Sequence, residues 1–178
     1  MKNSQNHLTI IAACMLIAFT SLTRIIDHYP NFTAVGALAL FAGVNIRDKR
    51  YAFLFPFIAM FIADIYLGFH FSIVPVYMCF ALAVWIGFAV RKNKTIFRIF
   101  SASIISSVIF FLVTNLPFWY ANLQLYPMTL EGTLESYTAA LPYFRNQVTG
   151  DLIYTALFFG LYEFAFRRIV AYRLAKGK

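Results

Sequence analysis

The run IVPVYMCFALAVWIGFAV, residues 73–90, carries no charge and is followed at once by RKNK at 91–94. Eighteen helical residues rise about 27 Å, close to the roughly 30 Å hydrocarbon core of a bilayer. Pro75 falls in the first turn, where a missing N–H does no harm. The stretch reads as a membrane-crossing helix that stops at a cationic connector.

Working outward, comparable apolar runs occupy 8–26, 32–46, 51–69, 96–116 and 149–166. The second is short, the third contains Pro56 and Asp64, and the fifth is rich in serine. The 178 residues are 61% hydrophobic and only 12% charged, about half the charged fraction that covers a soluble domain. The expected fold is all-α: one integral membrane domain over 1–178, a bundle of six transmembrane helices. Its one long connection is the outer loop 117–148. There the apolar residues Leu130, Leu134, Tyr137 and Leu141 recur at helical spacing between Pro127 and Pro142. That pattern predicts a short amphipathic helix across the outer mouth.

The basic residues divide by face. Lys2, the 47–50 connector, the 91–98 connector and the tail after 166 hold 13 of the 15, leaving Arg24 and Arg145 opposite. By the positive-inside rule both termini are expected in the cytoplasm. The net charge of +8 is therefore a topology signal, and no nucleic-acid partner is expected. Cys14 follows Ile11-Ala12-Ala13 in the manner of a lipoprotein cleavage box, but the apolar run continues for twelve residues beyond it, so span one is expected to be retained. Cys14 and Cys79 both lie inside apolar runs, which argues against a disulfide framework.

Small residues recur at packing intervals: Ala39 with Gly43 in span two, and Ala102, Ser103, Ser106 and Ser107 in span five. Such pairs serve either internal helix packing or docking of a membrane partner.

Polar groups collect on the outer side, among them Arg24, Asp27, His28, Asn31, Asp64, His70, Asn115, Arg145, Gln147 and Asp151. Asp64 sits about 7 Å deep at the helical rise. An acid at that depth needs an ion-pair partner, Arg24 or Arg145, or a wet cavity. The candidate substrate-binding residues are Asp64, His28, Asn31, Arg145, Asn146, Tyr77 and Asn115. Cys79 is a small hydrophobe or a soft metal ligand. No P-loop, H-E-x-x-H, G-x-S-x-G or C-x-x-C motif occurs, so no cofactor of the chain's own is expected and catalysis has no recognisable machinery.

Several segments together, PNFTA at 30–34, DIYLG at 64–68, FFLVTN at 110–115 and ALPYFRN at 140–146, resemble an uncharacterised family of small bacterial membrane proteins over nearly the whole chain. The layout is also similar to the S components of energy-coupling factor vitamin transporters, and to BtuM-type cobalamin transporters in particular. That resemblance implies a bacterial inner-membrane protein that captures a vitamin-like solute, a corrinoid being one candidate, from outside. It also implies an ATPase-bearing membrane partner, and a role for Cys79 as axial ligand of the substrate's cobalt. The alternatives are a membrane enzyme acting on a lipid or envelope intermediate at the outer face, with Asp64 or His70 as acid/base, and a non-catalytic assembly factor.

Overall fold

The computed structural model describes residues 2–26, 29–69 and 72–176, with side chains for 12–26, 29–69 and 72–165. Among these residues it is all-helical: α1 (Lys2–Ile25), α2 (Val35–Asn45), α3 (Lys49–Leu67), α4 (Ile73–Val90), α5 (Ile96–Thr114), a 3-10 turn (Pro117–Leu123) and α6 (Leu130–Lys176). Three stretches are long and apolar enough to cross a membrane: α3, α4, and α5 continued through the 3-10 turn to Leu123. Large apolar side chains such as Phe61, Ile65, Trp85, Phe97 and Ile105 are exposed around the outside. Exposed apolar area on this scale signals a non-aqueous surround or a partner.

The short helix α2 is the axis of the structure. It is apolar on every side, and nine of its eleven residues are buried, as expected of a helix enclosed by others. It packs on each of the other five helices. Phe41 meets Phe158, Phe159 and Tyr162 of α6 edge-on or tilted, and Leu38, Leu40 and Val44 are withdrawn from the surface. At about 16 Å, α2 spans only half the hydrocarbon thickness.

Close approach of α2 to α4 depends on two glycines. A Cβ at Gly43 would lie 2.3 Å from the Val84 carbonyl oxygen, and one at Gly87 would lie 2.7 Å from that of Leu40. The small residues of α5 also face inward: Ala102, Ser103 and Ser107 are buried, and the Ser103 hydroxyl meets that of Thr155 on α6 at 3.3 Å. Both small-residue faces thus serve internal packing, not an external docking surface.

The two ends of the bundle differ in chemistry. At one end Arg91 closes the C-terminus of α2, donating to the carbonyls of Gly43, Ile46 and Arg47 while its guanidinium lies 4.7 Å from the Phe88 ring centroid. A cation there satisfies orphan carbonyls and opposes the helix dipole. Lys94 joins it through the Asn45 amide oxygen at 3.0 Å. The basic connectors 47–50 and 91–98 therefore converge on one end, and the C-termini of α1, α3 and α5 gather at the other.

One expectation fails. The outer-loop helix does not end at Pro142, because α6 runs unbroken from Leu130 to Lys176 with that proline inside it. Interior proline costs a hydrogen bond and clashes with the preceding turn, but contacts to the end of α5 hold both flanks. On one side Ser136 donates to the Asn115 carbonyl at 2.8 Å and Tyr137 to that of Leu112 at 2.6 Å; on the other, the Phe144 ring stacks 4.6 Å from Phe111. The inward face is also not the leucine one. Leu130, Leu134 and Leu141 are exposed, while Gly132, Ser136 and Ala140, spaced by four, are buried.

Candidate functional site

The end opposite the basic connectors is built around an ion pair. Arg24, in the last turn of α1, donates through a terminal nitrogen to Asp64 Oδ1 on α3 at 2.8 Å. Tyr77 of α4 donates its hydroxyl to Asp64 Oδ2, also at 2.8 Å. Asp64 is completely buried, and both of its oxygens are engaged, one by a cation and one by a neutral donor. It fixes the guanidinium in return. Ser21 ties the same stretch of α1 to α3 by donating to the Ala59 carbonyl at 3.0 Å.

Segment 29–34 forms the next wall. Phe32 N–H donates to the Tyr29 carbonyl at 3.0 Å, and Asn31 has φ of 63°. Proline at the second position and a left-handed asparagine at the third suit a type II turn. Two contacts fasten this turn: Ala34 N–H donates to the Thr23 hydroxyl at 3.1 Å, and the Asn146 amide of α6 donates to the Pro30 carbonyl at 3.1 Å.

Two adjoining cavities open here, sharing Arg24, Asn31 and Phe110 as common walls. The inner one, about 210 Å³, is bounded further by Thr33, Gly36, Phe80, Gln147 and Asp151. The outer one, about 530 Å³, reaches Asn115, Tyr120, Tyr126, Ser136 and Tyr143. The Trp119 indole donates to the Val113 carbonyl at 2.7 Å and the Tyr120 hydroxyl to the Thr114 carbonyl at 2.8 Å, so the 3-10 turn folds back over the end of α5.

Asp151 of α6 is only 5% exposed. Its carboxylate accepts from the Ser107 hydroxyl at 2.7 Å and from the Gln147 side chain. It lies so close to α2 that a Cβ on Gly36 would sit 2.3 Å from Oδ1. Neither hydrogen-bond partner is a cation. The two buried acids are therefore unlike: Asp64 is paired with a cation, and Asp151, among the described residues, is not.

Of the residues singled out from sequence, Asn31 and Asn115 line the cavities, and Asp64 and Tyr77 stand behind Arg24 as its support. Asn146 braces the 29–32 turn. Arg145 is exposed and borders neither cavity; Asp64 takes Arg24 and not Arg145 as its partner. Cys79 is buried and also borders neither. No group of three or more His, Cys, Asp or Glu residues able to hold a metal occurs among the described residues. His28, Asp27 and His70 lie outside the described residues. Asp151 and Gln147 line the inner cavity although the sequence pattern did not single them out as site residues, Asp151 standing only two residues inside the expected sixth span. For Ser136 and Gly36 no local signal existed.

No curated protein and no solved structure matches the chain. A family model described as a family of unknown function (DUF6580) matches residues 3–173. A match over nearly the full length carries the assignment: this chain belongs to that family of unknown function.

Proposed function

We propose that the protein is a multi-pass membrane protein of the bacterial inner membrane that captures a small polar solute from the outer side. In this reading the six helices form the membrane domain. Both chain ends and the basic connectors face the cytoplasm, and the two cavities open outward. The single observation that carries the reading is Arg24, which borders both cavities and is held in place by Asp64 and Tyr77. A half-buried charge held in this way and facing a polar cavity within an oily bundle is costly unless it serves recognition. The outer cavity, about 530 Å³, lies within the usual range for ligand sites, and the inner one, about 210 Å³, extends it. Cys79 borders neither cavity and plays no part in the proposed site. Movement of the solute inward would fall to reorientation of the bundle or to a separate subunit with an ATPase module, since the chain has no P-loop.

The test is purification in a mild detergent followed by native mass spectrometry. A small molecule retained by the intact protein and lost from Arg24→Met supports capture. Retention unchanged in Arg24→Met would remove this site.

A further inference from the structure

We propose that the captured solute bears a positively charged nitrogen, and that Asp151 with the Phe80 and Phe110 rings receives it. The inference rests on the capture reading and names the ligand class of the same site.

The inner cavity is bordered by Arg24 and Asp151, but their charges do not cancel. Arg24 is already matched by Asp64 at 2.8 Å. Among the described residues Asp151 is supported by neutral groups, Ser107 and Gln147. Two carboxyl groups thus stand beside one guanidinium, and among the described residues Asp151 has no cationic partner of its own. A carboxylate away from water costs several kcal/mol unless a proton or a cation neutralises it. The cavity offers room for that cation to come from outside.

The remaining walls have the matching chemistry. Phe80 and Phe110, whose ring centroids lie 5.5 Å apart, both border the inner cavity. Aromatic faces attract organic cations through the ring quadrupole, and an aromatic cage beside a carboxylate is the usual receptor for an alkylated ammonium. Tyr120, Tyr126 and Tyr143 continue the aromatic lining into the outer cavity, which gives such a cation a graded path inward. Gly36 contributes by absence: a methyl group there would collide with Asp151 Oδ1.

Calorimetric titration of the full-length protein in detergent provides the test. The probes are four organic cations (choline, tetramethylammonium, ethanolamine and benzylamine), 3,3-dimethylbutan-1-ol as the uncharged isostere of choline, and acetate. At least one cation is expected to bind, choline at least ten-fold more tightly than its isostere, with acetate silent. Asp151→Asn should weaken cation binding ten-fold or more. Gly36→Ala should weaken it as well, and this second variant covers the case in which Asp151→Asn does not fold. Equal binding of choline and its isostere, full binding in both variants, or no binding by any cation would overturn the inference. If the purified protein carries a neutral or anionic molecule that Arg24→Met releases, capture stands and the cation falls. If nothing co-purifies and no charge class binds, both fall together.

Discussion

Arg24 on α1 and Asp64 on α3, forty residues apart in sequence, meet at 2.8 Å with the carboxylate wholly withdrawn from the surface. The pair joins two helices at the end of the bundle where the cavities open. Its removal has a different cost according to which half is lost. Asp64→Asn leaves the guanidinium without its counter-charge and should destabilise the folded protein by about 3–5 kcal/mol. The double replacement Arg24→Met with Asp64→Leu should recover much of that loss. Thermal unfolding in detergent, read as a double-mutant cycle, checks both. Equal stability of the single and double variants would contradict the pairing.

Tyr77→Phe keeps the ring that packs 5.5 Å from Phe57 and deletes only the donor to Asp64. The expected loss is about 1–3 kcal/mol, the range for hydrogen bonds to charged groups and for a deprived acceptor. Because Tyr77 supports Arg24 without bordering the cavity, solute retention should fall less than in Arg24→Met. Native mass spectrometry of the two variants side by side makes that comparison.

The crossing of α2 with α4 should tolerate no added atom. Gly43→Ala places a methyl 2.3 Å from a backbone oxygen, which no rotamer relieves, so the helices must separate. A loss of about 1–3 kcal/mol or more is expected. Gly160→Ala meets nothing within 4 Å and should gain roughly 0.5–1 kcal/mol from helix propensity. Melting temperatures moving in opposite directions for these two substitutions would bear out the packing.

Arg91→Lys preserves the charge at the C-terminus of α2 but removes the planar fork that reaches three carbonyls. The charge–dipole part survives and the hydrogen-bond geometry does not. About 1–2 kcal/mol should be lost, and Arg91→Gln should lose no less. Chemical unfolding of the three proteins distinguishes the fork from the charge.

Single cysteines placed at Lys94 and Tyr126 in a Cys14→Ser, Cys79→Ser background should label from opposite sides of sealed vesicles. An impermeant maleimide is expected to reach Tyr126→Cys from outside and Lys94→Cys only after the membrane is opened. Labelling of both from one side would refute the proposed orientation.

How far the sequence reached depended on the kind of property. Hydropathy and charge are read position by position, so the run at 73–90 predicts α4 with the same limits, and the basic connectors sort to one end without any knowledge of packing. Helix rotation is not a local property. The leucines at 130, 134 and 141 share a helical spacing with Gly132, Ser136 and Ala140 on another face, and periodicity alone favours the apolar set. Inside an oily bundle, close backbone approach and hydrogen bonding decide instead, and the small residues turn inward. Pro142 misled for a related reason. Its local cost is fixed, but whether the helix continues depends on what α5 supplies on either side.

By itself, then, the sequence determined an all-helical chain of apolar segments, a cationic end, and a polar end holding Arg24, Asp64 and Asp151. Only the tertiary structure decided that Arg24 and Tyr77 both bind Asp64, that Arg145 and Cys79 stand away from both cavities, and that Asp151 rests against Gly36 with no cationic partner among the described residues. The physical reason is distance: pairing energies fall off within a few ångströms, and which groups come that close is set by how α2, buried on all sides, lets its neighbours approach.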